Sequence, residues 1–364
     1  MGYFKNINLF NYRNFSKFNL EFGNNCNVLI GKNGSGKTNI LESISLLEKG
    51  RGIRKDKINN LINFNNIDEG FKIFSIFQDS NINYDISICN SDNNKKKIFI
   101  NDKNDSIAIK YYESLFAVIY FLPEMERMFV ESPSFRRNFL DRLIFSSEKN
   151  YNSIINSYKK ALTERQILLK KNNYDEKWLE EIEKNIVNFG SLIYKKRDSH
   201  IQTINTILKK INSVKHFSKD FYLKINDQFL EENPNIYNQN NIYLSKIKNN
   251  RKFDYMSGRC SVGPHRSDLI GLNIENKFNL NQLSTGQQKT IVLLIIISQC
   301  EYLIKNLNLN PIILLDEICS HLDDINRELL LYLVNQLNVQ VFMTGTDRNY
   351  FSFLSTKANY YNIA

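Results

Sequence analysis

The sequence predicts an α/β protein in which mixed sheets and helices form a nucleotide-binding head, and a helical arm is inserted into that head. Three separated segments carry the prediction. Gly31-Lys32-Asn33-Gly34-Ser35-Gly36-Lys37-Thr38 is a complete phosphate loop, Leu283-Ser284-Thr285-Gly286-Gln287-Gln288 opens a helix, and Ile312-Ile313-Leu314-Leu315-Asp316-Glu317 places two acids after an apolar strand. The loop's context fits its chemistry. The run Cys26–Ile30 enters it, and Ile40, Leu41, Ile44 and Leu47 recur at helical spacing behind it. A strand, a glycine loop and a helix together aim backbone amides and a helix N-terminus at phosphate.

Upstream, Tyr3–Leu9 and Phe15–Phe22 alternate in the manner of strands. Between residues 70 and 122, the runs Phe71–Phe77, Tyr84–Cys89, Lys97–Ile100 and Ala117–Phe121, separated by Asn and Asp, fit an antiparallel layer beside the nucleotide. The character changes near Pro123. Two stripes of alternating three- and four-residue spacing follow. They are Ile154, Tyr158, Ala161, Arg165, Leu168 and Trp178, Ile182, Ile186, Phe189, Ile193, joined by a bend at 170–176. They predict a short helical hairpin. Residues 228–252, Asn-rich and containing Pro234, predict a loop. Globular patterning resumes at Phe253, where Gly263-Pro264-His265-Arg266 reads as a turn. The expected division is therefore 1–122 and 253–364 for the head, with 123–252 as the arm.

The chemistry follows from residue types. Backbone amides of Gly31, Lys32, Asn33, Gly34, Ser35 and Gly36 suit phosphate oxygens, and Lys37 suits the β- and γ-phosphates. The Thr38 hydroxyl and Asp316 carboxylate suit Mg²⁺, and Glu317 suits the activation of an attacking water. Ser284, Gly286 and Gln287, at the start of a helix, suit a further γ-phosphate.

Composition narrows the function classes. Lys and Arg outnumber Asp and Glu by 48 to 38, a net charge of +10, which favours a polyanionic partner; AT-rich coding also enriches Lys. Five widely spaced cysteines lack any CxxC pair, and four histidines lack metal-ligand spacing. This argues for reduced thiols in a cytoplasm and against a zinc site. No signal-like N-terminus is read, and the apolar run Ile291–Ile297 is short for a membrane span.

The order of these motifs, with His321-Leu322-Asp323 after the acids, resembles the ABC/SMC-type ATPase head. The RecF family of bacterial recombination mediators is the closer resemblance, carried by Asn11-Tyr12-Arg13-Asn14-Phe15, Gly50-Arg51-Gly52-Ile53-Arg54, Ser134–Asp141, Gly263–Leu269 and Ser284–Thr290. Met125 departs from that family's pattern, where an acid is expected, and Thr344 stands where transporter ATPases keep a histidine. The resemblance implies ATP and Mg²⁺ as cofactors, Arg13 and Asp323 at the nucleotide or its interface, and slow, DNA-dependent ATP hydrolysis. It also implies an ATP-dependent homodimer on double-stranded DNA near single-strand junctions, with RecR and RecO as partners and RecA downstream. Arg51, Arg54, Lys95, Lys96, Lys97, Lys195, Lys196 and Arg197 are the phosphate-contact candidates. Arg136 and Arg137 are either exposed or internal partners of Asp141 or Glu131, and His265 and Arg266 are either functional or structural. The alternatives are another SMC-like DNA-bridging ATPase and a transporter ATPase subunit. The helical stripes are too brief for the rod of the first, and the charge has no explanation in the second.

Overall fold

The computed structural model describes residues 2–90, 95–171, 175–215, 220–233, 240–319 and 323–364. They form two compact units, Met1–Glu126 with Thr285–Ala364, and Arg127–Ser284.

The first unit holds two sheets. Strands β1 (Tyr3–Phe4), β2 (Asn6–Tyr12), β3 (Phe15–Glu21), β5 (Lys72–Asp79), β6 (Ile82–Asn90) and β7 (Lys96–Ile100) make an antiparallel sheet in the order β3-β2-β5-β6-β7, with β1 on β5. The second sheet is parallel, in the order β13-β4-β12-β11-β8. Its strands are β4 (Cys26–Ile30), β8 (Phe116–Phe121), β11 (Asn310–Leu315), β12 (Gln340–Gly345) and β13 (Ala358–Asn362). Every residue of β4, β8 and β12 is buried, as expected of strands covered on both faces. The Ala117–Phe121 run therefore belongs to the parallel sheet and not to the antiparallel layer expected for it. An additional helix, α2 (Ser106–Glu113), precedes it, and the Asp105 carboxylate caps it by accepting from the amides of Ile107 and Ala108.

Helix α1 (Lys37–Leu47) follows β4 directly, and α10 (Asp324–Asn335) lies between β11 and β12. Helix α9 (Thr285–Leu307) is long and apolar enough to pass for a membrane span, yet Ile291–Ile297 are all buried within the unit. Each such side chain stabilises the fold by roughly 1.5–3 kcal/mol relative to exposure.

The second unit contains α3 (Pro133–Ser147), α4 (Tyr151–Leu169), α5 (Glu176–Lys215), β9 (Phe221–Asn226), α6 (Gln228–Glu232), α7 (Asn240–Asn249), α8 (Arg251–Ser257) and β10 (Asp268–Asn273). Ser132 caps α3, with Pro133 in its first turn. The hairpin is not short, since α5 runs for 40 residues. Its inward stripe is Leu179, Ile182, Ile186, Val187 and Ile193, whereas Trp178 is 52% exposed.

Two further expectations are corrected. Part of the presumed loop at 228–252 is helical, because Tyr243 and Ile247 sit one turn apart on α7 and bury their side chains. Pro234 lies outside the described residues. The arm also extends past Phe253 to Ser284. Strand β10 pairs antiparallel with β9 from Asp268↔Asn226 to Asn273↔Phe221, and buried Asp254 is bound by Arg165.

Buried arginines knit this unit. Arg165, 1% exposed, donates to Glu183 at 2.9 Å, Asp254 at 2.7 Å and the Ile247 carbonyl at 3.0 Å, joining α4, α5, α7 and α8. Arg197 holds Asp141 through two hydrogen bonds of 2.9 Å, and Arg136 holds Asp268 through two of 2.7 Å. Arg136 is thus internal, but its acid is Asp268 and not Asp141 or Glu131. Arg137 donates to the Ser267 carbonyl at 2.7 Å. At the predicted turn, where the Arg266 amide bonds the Gly263 carbonyl at 2.8 Å, the His265 ring meets Tyr158 Oη through Nδ1 at 2.8 Å and the Cys260 carbonyl through Nε2 at 2.9 Å. The neutral Nε2–H tautomer satisfies both contacts. Burial pushes the His265 pKa down to about 4.

Candidate nucleotide site

The site lies at the carboxyl ends of the parallel strands in the first unit, where open α/β sheets bind ligands. Strand β12 lies between the loop-bearing β4 and the acid-bearing β11. The register Leu315↔Met343 and Gly345↔Ile30 brings the phosphate loop and the Asp316-Glu317 pair to the same end.

In the loop, Gly34 (φ 85°) and Gly36 (φ 100°) take conformations that side-chain-bearing residues rarely adopt. A Cβ on Gly34 would meet nothing within 4 Å, so the space over the loop is open, whereas one on Gly36 would strike Phe15 at 2.5 Å. Lys37, 5% exposed, folds its ammonium back over the loop and donates to the carbonyls of Gly31 and Lys32 at 2.8 Å each. Ser35 Oγ is buried without a hydrogen-bond partner among the described residues. Thr38 Oγ1 lies 3.1 and 3.0 Å from the two Asp316 carboxylate oxygens. An unpartnered hydroxyl, an ammonium parked on loop carbonyls and a hydroxyl–carboxylate pair form the donor set that a magnesium nucleotide requires. The residues fit such a ligand.

Asp316 is 6% exposed and continues the β11–β8 ladder by donating its amide to the Phe121 carbonyl at 3.0 Å. Glu317 then turns out to solvent at φ 48°, a conformation uncommon outside Gly, Asn and Asp. Asn33, Glu317, Cys319, Thr344, Gly345, Thr346 and Tyr350 line a cavity of about 150 Å³ beside the acid. Burial pushes the Cys319 thiol up to about 12, so it stays protonated there at neutral pH.

Ser284, Thr285, Gly286 and Gln287, at and just before the start of α9, are all exposed. Asp323 caps α10 by accepting from the Asn326 amide at 2.8 Å, and its other oxygen lies 4.0 Å from where a Gly286 Cβ would stand. His321 and Leu322 lie outside the described residues.

Arg13, expected at the nucleotide, is occupied elsewhere. Burial works against its charge, but its guanidinium donates to Glu42 at 2.8 and 2.6 Å, to Asp56 at 2.8 Å and to the Asn60 carbonyl at 2.8 Å, which keeps it charged. The hydrogen bond from Arg13 holds the Asp56 pKa below its usual value. Glu42 is fully buried on α1 and also accepts from Tyr12 Oη at 2.9 Å. The β2–β3 turn therefore braces the helix behind the phosphate loop.

The residues 11–15 that marked the resemblance carried the signal for this brace. Met125 is buried in a tight turn spanning Pro123–Arg127, and Glu126 next to it accepts from Lys289 of α9 at 2.7 Å. The acid thus sits one position beyond the one expected.

The basic candidates divide. Arg51, Arg54, Lys95, Lys97 and Lys195 are exposed. Lys96 instead donates to the carbonyls of Leu46 and Glu48 at 2.8 and 2.7 Å, closing the end of α1, and Lys196 pairs with Glu148. Arg197, 3% exposed, is withdrawn from solvent by Asp141, which excludes it as a phosphate contact.

The RecF/RecN/SMC N-terminal domain family model matches residues 3–362. The chain is 30% identical to the DNA replication and repair protein RecF of Rickettsia typhi, over 97% of this chain and 96% of that protein. It is 31% identical to the same protein of Rickettsia prowazekii, with the same coverage. Among solved structures it is similar to the recombination mediator protein RecF-ATPrS of the RecFOR pathway, with a TM-score of 0.84 at 26% identity, over 100% of this chain and 96% of that one. An Smc head domain from Pyrococcus furiosus shares the fold at 15% identity and a TM-score of 0.53, over 97% and 92% of the two chains. With its phosphate loop, paired acids and exposed signature on an SMC-type ATP-binding head, the chain belongs to the RecF family.

Proposed function

We propose that this chain is an ATP-operated clamp for DNA in recombinational repair and replication restart, and a slow, DNA-dependent ATPase whose hydrolysis step acts as a switch. Lys37 neutralises the β- and γ-phosphates, and Ser35 with the loop amides holds their oxygens. Thr38 and Asp316 hold Mg²⁺, which offsets phosphate charge when bound. Glu317 orients the attacking water and takes its proton.

The observation that carries the dimer is the exposure of Ser284–Gln287 at the start of α9. An exposed helix N-terminus favours an anion, and a second copy's γ-phosphate supplies one. Asp323, beside Gly286, joins that interface. Loss of the γ-phosphate removes contacts made only in the closed dimer, and the clamp opens.

Arg51, Arg54, Lys95, Lys97 and Lys195 contact the DNA backbone. RecR and RecO are the partners and RecA acts downstream, a reading supported by the relative's place in the RecFOR pathway. The cytoplasm is the compartment. Titration onto gapped and plain duplex, with and without ATP and Mg²⁺, tests the reading. ATP should tighten binding, most on gapped DNA, and affinity should fall steeply with salt. Nucleotide-independent binding with a flat salt profile contradicts it.

A further inference from the structure

Thr344 is the one buried hydroxyl on β12 that meets both acids of the nucleotide site among the described residues. It is fully buried. Its Oγ1 donates to Asp316 Oδ1 at 2.7 Å and accepts from the Glu317 amide at 2.8 Å.

The strand register shows what that second bond replaces. Parallel pairing between β11 and β12 ends at Leu315↔Met343. Beyond it, on the β8 side, Asp316 still gives its amide to the Phe121 carbonyl. On the β12 side, Glu317 gives its amide to a threonine side chain. The chain thereby leaves the ladder and turns Glu317 into the left-handed region at φ 48°, a strained conformation for such a residue that the surroundings must sustain.

One hydroxyl therefore fixes two things. It anchors the Asp316 carboxylate through Oδ1, while Thr38 Oγ1 reaches both of its oxygens, and it sets the backbone turn that presents the Glu317 carboxylate. Thr344, Glu317 and Asn33 of the phosphate loop share the walls of the same 150 Å³ cavity, so the acid is held beside space large enough for water. Thr344 takes its own backbone pairing from Leu29 on β4, the strand that feeds the phosphate loop, and so references both acids to the loop.

We propose that Thr344 is a positioning residue for hydrolysis, its hydroxyl coupling the cation-site carboxylate of Asp316 to the placement of Glu317. This rests on the ATPase reading above.

The test uses the full chain and its Thr344→Val and Thr344→Ser variants, with affinity measured by a fluorescent ATP analogue and hydrolysis measured in single turnover with DNA present. Valine keeps the shape and removes the bonds. Thr344→Val should lose on the order of ten- to a hundredfold in hydrolysis, the size expected for a hydrogen bond to a charged group, while analogue affinity stays within about twofold. Thr344→Ser should recover most of the rate.

Three results overturn the proposal. They are unchanged hydrolysis in Thr344→Val, a Thr344→Ser variant as slow as the valine, and a valine variant whose analogue affinity falls as far as its rate, which marks a packing role. If the unsubstituted chain shows no hydrolysis that Lys37→Ala abolishes, the ATPase reading itself fails and takes this inference with it.

Discussion

The arm and the nucleotide site use charge in opposite ways. In the arm, charged side chains close on one another. Arg165 meets Glu183 and Asp254, Arg197 meets Asp141, and Arg136 meets Asp268, all substantially withdrawn from water. At the nucleotide site, polar groups are held in place but kept available. Lys37 rests on two carbonyls, Thr38 leans on Asp316, Glu317 faces solvent, and the start of α9 is exposed. A charge paired with another protein charge fastens helices together. A charge held by backbone or hydroxyl groups can be redirected to a ligand without leaving a buried ion behind. Charge alone therefore does not mark function; the partner does.

Substitutions that separate stability from chemistry break or sharpen this contrast. The largest effect is expected in the nucleotide unit. Glu317→Gln should slow ATP hydrolysis by about 10²- to 10⁴-fold, the range of general-base contributions, with an unchanged melting temperature; a comparable loss of thermal stability would merge the two classes. In the arm, Arg165→Leu should leave Glu183 and Asp254 buried beside an apolar side chain and cost about 3–5 kcal/mol of stability in denaturant unfolding. A variant that unfolds like the parent would show that this network is not a fastener.

His265 sharpens the contrast through pH. Its folded pKa of about 4 lies below the ordinary 6.5, so the unfolded chain binds the proton more readily between those values. The stabilisation is therefore present above pH 6.5 and is lost as pH falls towards 4, by about 3 kcal/mol at most. Replacing His265 with Gln should flatten stability between pH 7 and 5 relative to the parent, and an unchanged slope would assign that dependence to other groups. The smallest effect concerns the exposed cations. Lys195→Gln should lower the salt slope of DNA binding by about one unit at unchanged stability. An unchanged slope would remove Lys195 from the contact surface.

Legibility in the sequence follows the same division. The phosphate loop, the signature and the Asp316-Glu317 pair were readable because each is contiguous and its chemistry demands fixed residue types at fixed spacing. The burial of β8 and its move to the parallel sheet were not, since a six-residue apolar run does not say which neighbour it pairs with. The tie of Arg13 to Glu42 and Asp56, and of Arg197 to Asp141, joins residues tens of positions apart. No local pattern distinguishes a buried arginine from an exposed one. Trp178 illustrates the limit of periodicity. It fits a three-four stripe, but Leu179 next to it takes the inward face. Residues 240–249 looked loop-like through their Asn content, yet two apolar side chains one turn apart suffice to hold that stretch as a helix once α5 is there to receive them.

Sedimentation of the full chain and its Ser284→Arg variant, with and without ATP and Mg²⁺, tests the clamp most directly. The parent should be a monomer without nucleotide and a dimer with it. The variant should bind ATP as a monomer and stay one, because arginine at that exposed helix start obstructs a second molecule. A parent that remains monomeric in saturating ATP, or a variant that dimerises as the parent does, would contradict the account.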